Sequence, residues 1–354
     1  MVQPRLRVDG ELIPLDESTI TVEQIEDLLA EALAAGGRPA DALAGEVEAD
    51  WGITLAGIGR FRVHAYRQRG TWALVLRGIA TSVPDWDALR LPRGAASWVL
   101  ARDGLVIVVG PTGSGKSTTL ASLVDIINSS RACHILMIED PVEYVHADRV
   151  ATISQREVHT DTPDVASALR AGLREDPDVI VVGEVRDAAT LWTALRAAET
   201  GHLVLISLHA RSTLDAISRV IDLVPAAEQG LVRGILAEVI RGIICQRLVP
   251  FAQGSGRRVV CEVAEPTGRV RDCIRDPEAL STLPEVIAEG EFRGMQNLEQ
   301  DAVRLVLAGE ITLDGAESVV PNVSDLHLAL RRAGFPVDDL SSNRGVGAAW
   351  EGAR

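Results

Sequence analysis

The chain predicts an α/β fold, a parallel sheet with helices on both faces, preceded by a smaller mixed domain. Three observations carry that expectation. Four apolar, β-branched runs, 105–109 (LVIVV), 134–138 (HILMI), 178–182 (DVIVV) and 202–207 (HLVLIS), alternate with helical stretches. Such near-continuous runs suit strands buried on both faces of a parallel sheet. The first run passes straight into a glycine-rich loop and then a helical pattern, STTLASLVDII. Before residue 80 the runs instead alternate with polar residues, and 354 residues suffice for two domains.

In the first domain, 1–80, LRVDGELIPL has strand character on both sides of an Asp9-Gly10 turn signal. VEQIEDLLAEAL follows, with Ile25, Leu28, Leu29 and Leu33 at helical spacing. FRVHAYRQ and TWALVLRGI then read as strands. The stretch TSVPDWDALRLPRGA has two prolines and no clear period, which marks 81–96 as a linker. The second domain, 97–335, holds the four apolar runs. Later in it, LVRGILAEVIRGII and MQNLEQDAVRLVLAG read as amphipathic helices. The tail 336–354, ending SSNRGVGAAWEGAR, is small and polar and is expected to be disordered.

Composition narrows the function classes. Aromatic residues make up 3% of the chain and the formal net charge is −15, which argues against a nucleic-acid partner. Cysteines at 133, 245, 261 and 273 form no C-x-x-C pair, so neither a zinc site nor a disulfide framework is expected. That usage suits a reducing cytoplasm. The N-terminus is too interrupted by charge for a signal peptide, and no apolar run approaches the roughly 20 residues that span a bilayer. No direct membrane insertion is expected, and a membrane role would come through a partner.

The chemistry begins at Gly110, Pro111, Thr112, Gly113, Ser114, Gly115, Lys116 and Ser117, which fit G-x-x-x-x-G-K-[ST]. Glycines let the backbone wrap a phosphate, and successive N–H groups turn inward as an anion nest. Lys116 is expected on the β- and γ-phosphates of ATP and Ser117 on Mg²⁺, with Thr118 beside them at the helix start. The run Asp178-Val-Ile-Val-Val-Gly183 ends in Glu184, the form of a Walker B acid that holds a metal-bound water or polarises the attacking one. Glu139, Asp140 and Glu143 follow another run. They either position Mg²⁺ and deprotonate a water or cap the segment around Pro141. His202 and His209 bracket the last run, where seven-residue spacing puts them on opposite strand faces, and spacing alone assigns them no role.

The strings GPTGSGKSTTLASL, IEDPVEYVH, QREVHTDT, ALRAGLREDPDVIVVGEVRD and AAETGHLVLISLH together resemble the secretion-superfamily ATPases of the type IV pilus and type II secretion group. Within that group the chain is most similar to the pilus retraction ATPases, the PilT family. The resemblance spans nearly the whole chain. It implies a RecA-like P-loop ATPase domain preceded by a small PAS-like α+β domain. It implies Glu143 as general base, Glu184 as Walker B acid and metal-site residue, and His202 and His209 as histidines that read nucleotide state. It also implies that Arg62 and Arg77 reach a neighbouring subunit's nucleotide, where an arginine neutralises transition-state charge. A solvated strand face is the other reading of those two arginines.

Further implications are a cytoplasmic homohexamer, peripheral at an inner-membrane pilus platform protein, whose linker lets the domains rotate during pilin disassembly and twitching motility. Two features point to retraction over assembly. Assembly and secretion members usually carry a tetracysteine zinc module, which this cysteine spacing cannot form. The stretch 269–276, RVRDCIRD, resembles the retraction element A-I-R-N-L-I-R-E and keeps Arg271, Ile274 and Arg275. Asp325-Leu-His-Leu resembles a string that commonly precedes L-R-V-D-G in the family, and also reads as the start of a last helix. The alternatives are an assembly or secretion ATPase lacking the zinc module, and a nucleotide-binding regulatory subunit.

Overall fold

The apolar run at 105–109 forms an inner strand of a seven-stranded sheet in the structure, a computed structural model that describes residues 3–8, 11–15, 18–79 and 82–336. The Asp9-Gly10 turn and the tail from 337 onward lie outside the described residues. The chain divides into two compact units, one reaching Ser82 and including Glu143–Val145, the other comprising Val83–Val142 and the residues from His146 onward.

In the first unit, β1 (Arg5–Val8) and β2 (Glu11–Pro14) pair antiparallel. Helix α1 (Val22–Ala35) starts at Thr21, whose side chain and that of Gln24 exchange hydrogen bonds with each other's backbone N–H. This capping box satisfies two donors that the helix cannot. Then β3 (Glu48–Leu55), β4 (Gly59–Gln68) and β5 (Thr71–Ile79) form an antiparallel meander. Leu29 and Leu33 of α1 pack on Trp51, Ile53, Val63, Ala65 and Trp72, the inward side of that sheet. Alternation along β4 therefore buries Val63 and Ala65 and leaves Arg62 and His64 on the other side.

The second unit opens with a short helix, α2 (Arg93–Ala96), and then runs β6 (Gly104–Val109), α3 (Lys116–Ser130), β7 (His134–Glu139) and β8 (Thr152–Glu157). It continues through α4 (Val165–Gly172), β9 (Val179–Val182), α5 (Ala188–Glu199), β10 (Leu203–Leu208), α6 (Thr213–Asp222) and α7 (Ala226–Val239). A β-hairpin, β11 (Ile240–Pro250) and β12 (Arg257–Ala264), follows, then α8 (Gly268–Arg275), α9 (Leu283–Ala288), α10 (Leu298–Leu307), α11 (Leu313–Glu317) and α12 (Val323–Arg332). The sheet order is β12-β11-β6-β10-β9-β7-β8, parallel except for β12. This is the α/β arrangement that the alternating runs predict, and it agrees with the RecA-like domain that the family resemblance implies.

Strand β6 explains the layering. Leu105, Ile107 and Val109 join one core with α4 to α8, while Val106 and Val108 join the opposite core with Leu120, Leu123 and Ile127 of α3. A strand buried on both faces has no polar side to alternate, hence the unbroken apolar run.

Two expectations change, and one pair of alternatives is decided. Most of the stretch read as a flexible linker packs into the second unit, because Trp86, Leu91 and Ala95 are buried in the α3-side core. LVRGILAEVIRGII is helical only to Val239, and Ile240 onward is strand β11, paired with β6. Short apolar runs do not distinguish a helix from a buried strand by periodicity, and here the β-branched residues and the β6 edge decide. Asp325 and the residues after it lie in α12, so that string is helical.

Candidate active site

The parallel strands deliver their functional side chains to one edge of the sheet. Loop 110–117 leaves the end of β6, Asp140 follows β7, Glu184 follows β9 and His209 follows β10. Carboxyl ends of open α/β sheets are where such folds bind ligands.

The loop is shaped by close packing. A Cβ on Gly110 would lie 2.3 Å from Ser114 Oγ and 2.4 Å from the carbonyl oxygen of Gln246 on β11, so only glycine fits. Gly115 takes a left-handed conformation, φ 90°, as the cap of α3. Having no side chain, it leaves the first N–H groups of the 15-residue helix to a ligand, where the dipole favours phosphate. Lys116 folds across the loop, with Nζ 3.0 Å from Gly110 O and 3.2 Å from Pro111 O.

From Lys116 a chain of polar contacts crosses the strand ends. Lys116 Nζ lies 3.4 Å from His209 Nδ1, and His209 Nε2 lies 3.0 Å from Glu184 Oε1. A lysine ammonium only donates, so Nδ1 accepts and Nε2–H donates to the carboxylate, which defines one neutral tautomer. The other oxygen of Glu184 takes a hydrogen bond from Arg186 at 2.7 Å, and Arg186 also reaches Asp140 at 3.4 Å. The bond from Glu184 draws the Arg186 guanidinium above its ordinary value, with help from both carboxylate charges and against its partial burial. The acid is held from below as well. Gly183 N–H donates to Ile138 O at 2.8 Å, Ser207 Oγ donates to Gly183 O at 2.5 Å, and Val185 N–H donates to Ser207 O. The turn carrying Glu184 is thus anchored to both neighbouring strands.

The other expected residues divide between positions. Contrary to expectation, His202 does not join this cluster. It precedes β10 whereas His209 follows it, so the two sit at opposite ends of a strand, about 20 Å apart at the usual rise per residue. His202 Nδ1 is 3.0 Å from Ala197 O, a contact that closes the turn after α5. Glu143 is exposed, in the segment grouped with the first unit. Arg62 and Arg77 are direct cross-strand partners in that unit, hence on one face of its sheet, and Arg62 Nε bonds Asp50 Oδ1 at 3.0 Å.

Two residues at the sheet edge escaped the reading of the sequence. Arg186 lies inside a quoted string, two residues past the acid, where a basic residue is within reach of the same carboxylate. Gln246 interrupts the apolar run of β11, and a polar residue amid buried aliphatics is the signal that was available.

A phosphate-wrapping loop on a helix N-terminus after β6, an acid after β9 and a histidine after β10, the strand between the two, define a P-loop ATPase. Comparison with known proteins then places it. Residues 94–315 match the family "Type II/IV secretion system protein", and the chain belongs to that family. It is 38% identical over 342 residues to the type IV pilus ATPase PilU of Pseudomonas aeruginosa, covering 96% of this chain and 89% of that protein. It is also 38% identical over 313 residues to the type IV pilus retraction ATPase PilT of the same organism, 88% of this chain and 90% of PilT. The crystal structure of the pilus retraction motor PilT with bound ADP superposes with a TM-score of 0.84 at 38% identity, covering 92% of each chain. The protein is an ATPase of this family, and its fold, an α/β domain with a central mixed sheet, is that of the retraction motor. Among the described residues no helix is long and apolar enough to cross a membrane.

Proposed function

We propose that the protein is the ATP-driven motor of type IV pilus retraction, working as a homohexamer on the cytoplasmic side of the inner membrane against a pilus platform protein. The observation that supports this best is the likeness to PilT over nearly the full length of both chains.

In this reading ATP enters with its phosphates on the loop 110–117, including Thr118 at the first helical turn. Mg²⁺ fits the donor set, since it needs one or two protein oxygens and keeps water. Ser117 supplies the direct ligand. Glu184, oriented by His209 and Arg186, would help to hold the ion. When bound, the ion would neutralise charge developing on the phosphates. Glu143 takes the proton of the attacking water. Arg62 and Arg77 come from the neighbouring subunit and complete the site, so turnover depends on ring assembly.

Loss of the gene tests the reading. Cells should carry excess surface pili and lose twitching, and the Lys116→Ala allele should fail to restore it. Bald cells would instead assign the protein to pilus assembly.

A further inference from the structure

We infer that Gln246 is a positioning residue for nucleotide binding, holding the peptide between Ser114 and Gly115 in the orientation that aims the Gly115 N–H at the phosphates. Gln246 is fully buried one residue past the β6–β11 pairing of Val109 with Cys245, and so lies beside the start of the loop. Its side-chain amide uses both ends. Nε2 donates to Ser114 O at 2.6 Å, and Oε1 accepts from Thr119 Oγ1 at 2.8 Å, in the second turn of α3. The carbonyl of Ser114 can only accept, so this contact requires the amide nitrogen. Thr119 satisfies the other end of the amide and so holds the side chain in place.

A trans peptide points its C=O and its N–H in opposite directions. Drawing Ser114 O down onto β11 therefore turns the Gly115 N–H away from the sheet, into the anion nest. Sterics alone do not hold that orientation. Gly115 sits at φ 90° with no Cβ, and glycine crosses between backbone basins at little cost. The reversed peptide would present a carbonyl oxygen to the phosphates. In this protein the bond from Gln246 selects between the two. The same side chain would lie 3.1 Å from a Cβ at Gly115, so a larger residue there would press on the Gln246 amide as well as strain the backbone.

The test is steady-state hydrolysis and fluorescent-nucleotide binding on the full chain. Gln246→Met keeps the volume and removes the donor. KM for ATP and the Kd for both ATP and ADP should rise together by about five- to tenfold, the range of one lost hydrogen bond, with kcat within about twofold. A packing role would instead lower thermal stability and active fraction while leaving KM unchanged, and that result overturns the inference. Thr119→Val offers a milder probe should the first variant not fold. It leaves the amide oxygen without its hydroxyl partner and loosens the side chain, and KM should rise about two- to threefold, while Thr119→Ser, which keeps the hydroxyl, should retain the wild-type KM. An unchanged KM in folded Thr119→Val protein overturns the inference equally.

Discussion

Removing the His209 ring should separate ATP turnover from ADP binding. The imidazole joins the P-loop lysine to the acid after β9, at 3.4 Å and 3.0 Å, and both partners are charged. Hydrogen bonds to charged groups contribute about 1.5–3 kcal/mol each, but the His209 side chain is 41% exposed and Glu184 21%, so solvent screening reduces that. A combined loss of about 2–3 kcal/mol in the transition state corresponds to roughly 30- to 150-fold in kcat. His209→Ala should therefore show that loss of phosphate release at saturating ATP, while the Kd for a fluorescent ADP analogue stays within about twofold, since the loop 110–117 itself is left intact. A His209→Ala protein that assembles normally and keeps kcat within threefold of wild type would refute the link between lysine and acid.

Three other outcomes follow. Glu143→Gln should lower kcat by about 10²- to 10⁴-fold, the range of a general base, with nucleotide affinity retained in equilibrium titration. Arg62→Ala protein should be nearly inactive alone, yet regain turnover when mixed with Lys116→Ala protein, because the second variant donates an intact arginine to the first variant's intact P-loop. Mixtures no more active than the separate proteins would refute supply in trans. Burial holds the Glu262 carboxyl above its ordinary range, and Glu299 adds to this, against hydrogen bonds from Thr213 and the charge of Arg247. The unfolded chain thus releases this proton first, so the group's contribution to stability declines as pH rises above the ordinary carboxylate range. Glu262→Gln should gain thermal stability relative to wild type between pH 5 and pH 8, and a difference independent of pH would contradict the assignment.

How much was legible in the sequence depended on distance along the chain. The phosphate loop is eight consecutive residues between a strand and a helix, and the acid Glu184 closes a short apolar run, so each could be recognised from its own neighbourhood. The hairpin β11–β12 was not, since its apolar run continues that of α7 and only the open edge of β6 turns it into a strand. The linker misled for a related reason, because two prolines mark irregular backbone but do not reveal that Trp86 and Leu91 are buried in the core.

The same physics divides the site. By itself the sequence determined the glycine-rich loop at 110–117 between a strand and a helix N-terminus, a place suited to a nucleotide's phosphates, since backbone geometry and helix polarity are local properties. Tertiary structure alone decided which side chains surround that loop. Strand register brings His209 and Glu184 together and sends His202 to the far end of β10. The β6–β11 pairing carries Gln246, distant in sequence, beneath Ser114, and no periodicity encodes which two strands will lie side by side.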